Sequence, residues 1–89
     1  MIEQGTPKIA PEIIWRFMDD SAVVISPAGG NVRVLNGMGT VIWKMLAQEE
    51  NTQSIHQYLV THYEVSPEQA QQDLRTFLND LTERGLLVW

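Results

Sequence analysis

The spacing of apolar and polar residues changes midway along this chain, from an alternation typical of strands to a repeat typical of helices. Three segments of the first half are rich in β-branched and aromatic residues and are bounded by turn-forming residues. They predict three antiparallel strands in chain order, joined by turns at Asp19-Asp20-Ser21 and at the glycine-containing stretch that begins with Pro27. The predicted strands cover residues 13–18, 22–26 and 32–35.

From Asn36 onward, apolar residues recur every three or four positions, which predicts three amphipathic helices. Asn36 and Thr52 are predicted to cap the first two helices, because their side chains can accept a hydrogen bond from a free amide of the first turn. The predicted apolar stripes are Met38, Val41, Ile42, Met45 and Leu46 in the first helix, with Trp43 at the edge, then Ile55, Tyr58, Leu59 and His62 in the second, and Ala70, Leu74, Phe77, Leu78 and Leu81 in the third.

The third helix has the strongest start signal. Ser66-Pro67-Glu68-Gln69 places serine at the cap, proline at the first helical position and glutamine three residues after the cap. Gly85 is expected to end this helix, and the apolar tail after it is expected to fold back onto the core as a short extra strand. Gly39, inside the first helix, predicts a close approach by a neighbouring element.

Length and composition bound the possible functions. The 89 residues predict one domain over 11–89, preceded by a flexible lead-in over 1–10. The absence of cysteine excludes disulfides, thiolate metal sites and thiol catalysis. We find no secretory signal at the start and no apolar run near the roughly 20 residues of a membrane span, so we expect a soluble cytoplasmic protein.

The formal net charge of −5 argues against a nucleic-acid partner, since such binding depends on cations that displace counterions from phosphates. An acidic surface also suits a basic partner, although a well-solvated surface is the commoner explanation.

Candidate catalytic groups are few. His56 and His62 would point about 240° apart on one helix and cannot share a metal ion. Asp19-Asp20 is better explained as turn chemistry than as a carboxylate pair. Gly37 and Gly39 form a G-x-G without the later glycine of a nucleotide-binding loop. We therefore expect no enzyme activity, cofactor or metal.

The third strand is the first feature that indicates a function. In a meander that follows chain order it lies at an edge, where its outward backbone groups have no partner. Edge strands are normally protected against sticking, and the short length and Arg33 fit a protected edge. The other explanation is that an extended peptide adds there as the next strand.

The second feature is the flank of the third helix, where residues spaced i, i+4, i+7 and i+11 form a half-apolar, half-charged line. A solvated helix shoulder is the simplest explanation. Beside the edge strand, however, this flank would form the second wall of a groove. The candidate peptide-binding residues are Asn31, Val32, Arg33, Val34 and Leu35 of the strand and Asp73, Phe77, Asp80 and Arg84 of the helix.

The chain resembles the PqqD-like family of small peptide-binding domains, also called RiPP precursor recognition elements. The resemblance extends from about residue 11 to residue 87, and it implies a winged helix-turn-helix-like α+β fold of three antiparallel strands followed by three helices. The residues that carry it are Leu35-Asn36, Gly39, Ile42-Trp43, Tyr63, Asp73-Leu74, Phe77-Leu78, Leu81 and Arg84-Gly85-Leu86-Leu87.

The resemblance also implies a function. Such domains hold the leader segment of a ribosomally made precursor peptide, which adds to the third strand and packs against the third helix, and they present the rest of the precursor to a modifying enzyme. The implied partners are a precursor peptide and a maturase, such as a radical-SAM enzyme or the leader peptidase of a lasso-peptide system. The segment from Leu35 to Trp43 is more similar to the broad family than to the dedicated pyrroloquinoline quinone pathway member, so the product stays open.

Two alternatives to a peptide chaperone stay open from the sequence. One is a DNA-binding winged helix, because its architecture overlaps, and the other is a regulatory subunit of a maturase. We expect a monomer or a weak homodimer.

Overall fold

The computed structural model describes residues 5–27 and 30–89, without the side chain of Asn31. Three antiparallel strands followed by three helices confirm the predicted α+β order, and the ends of these strands differ from the prediction by one residue at most. The elements of the described residues are β1 (Lys8–Ile9), β2 (Ile14–Met18), β3 (Ser21–Ser26), β4 (Asn31–Asn36), α1 (Met38–Ala47), α2 (Thr52–His62), α3 (Pro67–Glu83) and β5 (Leu87–Val88).

The main sheet has the order β2-β3-β4, so β2 and β4 both lie at edges within the described part of the chain. Two hairpins set the register, and in both a residue with positive φ helps to reverse the chain: Asp19 at 56° and Gly30 at 67°. Side chains alternate between the two faces of the sheet. Ala22 and Val24 are buried on the core face, whereas the edge-strand residues Ile14, Met18, Val32 and Val34 are exposed on the other face.

The core lies between the sheet and the three helices. Trp43 was predicted at the edge of the α1 stripe, but it is fully buried, and its ring meets Trp15 edge-on with centroids 6.3 Å apart. A buried aromatic side chain of this size dominates the packing around it. The apolar helix residues that the core buries are Ile42, Trp43, Leu46, Ile55, Leu59, Ala70, Leu74, Leu78 and Leu81.

The starts of α1 and α2 differ from the prediction. Asn36 is still paired with Ser21 in the sheet, and Gly37 takes the cap position of α1 at φ 57° without a side-chain cap. Asn51, rather than Thr52, caps α2, because its Oδ1 accepts a hydrogen bond from the Ser54 amide at 2.7 Å. Each predicted cap lies one residue from the observed one, because Asn36 is held in the sheet and because Asn51 and Thr52 are adjacent residues that can both cap a helix.

The start and end of α3 agree with the prediction. The Ser66 hydroxyl accepts a hydrogen bond from the Gln69 amide at 3.1 Å. The Gln69 side chain does not close the capping box but donates to Asp73 at 2.8 Å. Gly85 follows the helix with φ 76°, a value that favours glycine.

The two ends of the described chain pair with each other. β1 lies antiparallel to β5, with Lys8 opposite Val88, and the Ala10 amide donates to the Leu86 carbonyl at 3.0 Å. The predicted extra strand in the tail is therefore confirmed. Lys8–Ile9 lies within the lead-in predicted for 1–10 and forms β1, whereas residues 1–4 of that lead-in lie outside the described residues. The domain boundary at residue 11 stays a prediction.

No helix in the described residues has both the length and the apolar character needed to cross a bilayer.

Candidate functional site

The edge of β4 presents backbone groups that no strand of the described residues pairs. The Ser26 carbonyl accepts a hydrogen bond from the Gly30 amide at 2.9 Å, which directs the Ser26 backbone toward the β4 side. Alternate residues of antiparallel strands turn their backbone groups to opposite sides. In the observed register, Arg33 therefore pairs inward with β3, whereas Val32 and Val34 turn their N–H and C=O groups to the open edge.

The side chains of β4 point alternately to the two faces of the sheet. Leu35 is buried on the core face, and Arg33 lies on the same face. Val32 and Val34 are 64% and 60% exposed on the other face. Only one side of a peptide added to this edge would therefore face α3.

Phe77 of α3 forms an apolar wall near one end of β4. Its half-buried ring lies over Gly39, where a Cβ atom would be 3.4 Å from Phe77 Cε1 and 3.8 Å from Leu35 Cβ. A neighbouring element does lie over Gly39, but it leaves room for a Cβ atom, so the predicted close approach does not explain the glycine at this position. A methyl group would make an ordinary van der Waals contact with the ring, while a longer side chain would push the ring aside.

Asp80 of α3 lies between two arginines, Arg33 of β4 and Arg84. Its Oδ2 lies 2.7 Å from Arg33 Nη1, and its Oδ1 accepts a hydrogen bond from Arg84 Nε at 3.1 Å. The Arg33 and Asp80 side chains are each about a third exposed, at 31% and 34%. Solvent screening limits the contribution of such a pair to about 1 kcal/mol or less. The pair therefore links β4 to α3 but adds little to the free energy of unfolding.

A small cavity with a volume of about 140 Å³ lies beside these arginines. A cavity of similar size, about 150 Å³, holds a benzene molecule in another protein. The floor is apolar, formed by the buried residues Val24 and Leu86, and the rim carries guanidinium and hydroxyl groups. The lining residues are Val24, Ser26, Val32, Arg33, Arg84 and Leu86.

We call the space along β4 and α3 the groove, with Leu35 and Phe77 at its apolar end and Arg33, Asp80 and Arg84 at its charged end. Five predicted site residues thus come together in the structure. Asp73 stands apart, because it is exposed and its carboxylate accepts a hydrogen bond from the side-chain amide of Gln69 in its own helix. The side chain of Asn31 lies outside the described residues.

Sequence reasoning missed Val24, Ser26 and Leu86, which line the cavity at the charged end. Val24 and Leu86 have the apolar character of ordinary core residues, and their role follows only from the crossing of distant segments. No local signal in the sequence distinguishes them.

A larger cavity of about 540 Å³ lies between the start of α2, the segment before β1 and α3. It is lined in part by Asn51, His56 and Arg75, and it shares no lining residue with the groove. His56 Nε2 is hydrogen-bonded to the Pro67 carbonyl at 2.8 Å. Within 5–27 and 30–89, no cluster of His, Asp and Glu has the arrangement of a metal site.

These features define an α+β domain with an open sheet edge facing a helix across a groove. The sequence profile of the family described as "Coenzyme PQQ synthesis protein D (PqqD)" matches residues 21–87. The chain belongs to this family, and the predicted family resemblance is confirmed. A comparison with curated proteins finds no significant match.

Solved structures agree with this assignment. The structure described as "TbiB1 in Complex with the TbiA(beta) Leader Peptide" is 28% identical and covers 90% of this chain and 93% of that chain, with a TM-score of 0.87. The structure described as "Lasso peptide synthetase B1 complexed with the leader peptide" is 24% identical and covers 96% and 100%, with a TM-score of 0.86. The second likeness shows the fold alone.

Proposed function

We propose that this protein is a non-catalytic peptide chaperone for a ribosomally made precursor. It binds the leader segment as an added strand on β4 and presents the remaining segment to a modifying enzyme or a leader peptidase. The observation that carries this proposal is the open β4 edge facing Phe77 and Asp80 of α3 across the groove. The likeness to TbiB1, which is complexed with a leader peptide, supports it.

The free energies explain why an edge and a helical wall are both needed. Val32 and Val34 offer two N–H and two C=O groups, and each hydrogen bond contributes about 0.5–1.5 kcal/mol net. Four such bonds give about 2–6 kcal/mol, whereas micromolar affinity requires about 8 kcal/mol. Apolar leader side chains in the groove, at about 1.5–3 kcal/mol each, would supply the difference. Sequence preference would therefore come from the groove side chains.

The proposed partners are one precursor peptide and one maturase, such as a radical-SAM enzyme or the leader peptidase of a lasso-peptide system. We propose a monomer or a weak homodimer in the cytoplasm. A nucleic-acid partner is disfavoured by the net charge of −5, which would repel phosphates.

An NMR titration tests the site. Isotope-labelled protein is titrated with synthetic leader segments of the short precursor genes that neighbour its own gene. We expect the amides of Val32 and Val34 to shift together with those from Phe77 to Arg84. Shifts confined to β2 or to the larger cavity would contradict the proposal.

Backbone N-methylation of the bound leader separates strand addition from side-chain contact. A methyl group on a leader amide that faces β4 removes a ladder hydrogen bond and blocks close approach, so affinity should collapse at every second position. Methylation at the intervening positions serves as the control and should leave binding intact. A leader that tolerates methylation at every position does not bind by strand addition.

A further inference from the structure

We propose that the charged end of the groove recognises an acidic leader residue, an Asp or Glu whose carboxylate lies between Arg33 and Arg84. This inference rests on the proposed function and specifies the chemistry of its ligand. Its basis is the juxtaposition of two guanidinium groups, one shared carboxylate and a small cavity beside the open β4 edge.

The charge balance at this point is opposite to that of the whole protein. Arg33 and Arg84 share the single carboxylate of Asp80, which leaves one positive charge in a chain whose net charge is −5. Among the described residues, Asp80 is the carboxylate within ion-pair distance of either arginine. Each guanidinium has five N–H donors, so both keep donors for a second acceptor.

Binding of a leader would strengthen this preference. A strand on β4 would exclude water from Arg33, which is now 31% exposed above the buried side chains of Val24 and Leu86. An excess positive charge in such surroundings is costly unless an anion accompanies it. A carboxylate there would form charge-assisted hydrogen bonds, about twice as strong as neutral ones, while a Lys or Arg would add repulsion.

The register predicts the spacing of the recognised residues. Leader residues opposite Arg33 and Leu35 lie two positions apart, so their side chains point to the same face. The residue opposite Leu35 meets the apolar end of the groove with Phe77, and the residue opposite Arg33 meets the charged end. We infer a leader pattern of one apolar and one acidic residue separated by a single residue.

A displayed library of random peptides about twelve residues long tests this pattern. We expect selection on the wild-type protein to enrich Asp or Glu two positions from an apolar residue. Selection on Arg84→Glu should lose that preference and shift toward Lys or Arg. The matched control is Arg16→Glu, which makes the same charge change on exposed β2 and should retain the wild-type pattern.

Affinity measurements on one selected peptide make the test quantitative. Replacing its acidic residue by Gln or Asn should weaken binding to the wild-type protein about tenfold or more, as expected for hydrogen bonds to a charged group. The same replacement should have a much smaller effect on binding to Arg84→Gln. This neutral variant also serves if thermal unfolding shows that Arg84→Glu does not fold.

The outcomes separate the two proposals. Peptides that shift the β4 amides but show no acidic preference would overturn this inference and leave the proposed function standing. An acidic preference that is the same in wild-type, Arg84→Gln and Arg33→Gln proteins would also overturn it. If neither the selected peptides nor the leader segments shift the β4 amides, both proposals fail.

Discussion

β4 and β2 are the two edges of the same sheet, but their surroundings differ. On the core side of β2, the Trp15 ring meets the Phe17 ring edge-on, with centroids 5.4 Å apart. It also meets the Trp43 ring edge-on, with centroids 6.3 Å apart, so aromatic rings fill this side of the strand. Beside β4, a cavity of about 140 Å³ stays open between the strand and the end of α3. This difference favours β4 over β2 as the proposed binding edge, because α3 beside β4 leaves room for the side chains of an added strand.

The charges at the two edges differ as well. Arg16 of β2 is exposed on the face of the sheet that points away from the core. Arg33 of β4 lies on the core face and is paired with Asp80. A charge directed inward is one means by which proteins protect an edge from unwanted pairing. At β4, the charge of Arg33 would also determine which leader peptides can pair with the edge.

The largest expected effect is on the backbone of β4. Val34→Pro removes an outward N–H group and adds a ring at the open edge, so we expect leader affinity to fall by about a hundredfold or more. The fold should survive, because this N–H group has no partner in the sheet. Fluorescence anisotropy measures the affinity, and thermal unfolding measures the fold.

Val34→Thr is the control at the same position, since it keeps both the N–H group and the branched shape. Its affinity should stay within about twofold of the wild type. A folded proline variant that binds as well as the threonine variant would exclude strand addition at β4.

The second largest effect is expected at Phe77 near β4, and Phe17 of β2 serves as its comparison. Phe77→Ala removes the apolar wall of the groove, and we expect leader affinity to fall by about ten- to a hundredfold from the lost burial. Phe17→Ala removes a partly exposed ring below β2 and should lower stability with little change in affinity. Isothermal titration and denaturant unfolding of both variants give the two quantities. Equal losses of affinity would mean that the leader does not distinguish the two edges.

A smaller effect is expected at Gly39. Gly39→Ala places a methyl group in ordinary contact with Phe77, so we expect unchanged binding and up to about 1 kcal/mol higher stability from helix propensity. Gly39→Leu should displace the ring and weaken leader binding severalfold, because the wall of the groove moves. Leader binding that is equal in the two variants would show that the position of Phe77 does not matter.

The smallest effect is expected for Asp73→Asn. This carboxylate accepts a hydrogen bond from Gln69 and has no described contact with β4, so leader affinity should change by less than about twofold. Asp80→Asn is the contrasting variant and should have a larger effect, because it changes the charge between Arg33 and Arg84. A reversed order of the two effects would place the leader nearer the N-terminal end of α3 than we propose.

The sequence allowed the element order and the edge position of the third strand to be predicted, because local periods and turn residues determine them. It did not reveal the pairing of Lys8–Ile9 with Leu87–Val88, since neither segment carries a local sign of its partner. The full burial of Trp43, whose ring packs edge-on against Trp15, was missed for the same reason. The floor of the groove at Leu86 likewise follows only from tertiary structure.

The pairing of β1 with β5 has a practical consequence for engineering. Because Lys8 lies opposite Val88, polypeptide enters and leaves the domain at one corner. The domain could therefore be inserted as a cassette into a surface loop of another protein without pulling its own ends apart. Such insertions should keep β1 and Ala10, because the Ala10 amide donates a hydrogen bond to the Leu86 carbonyl. Removing it would loosen Leu86, which lines the cavity together with Arg33 and Arg84.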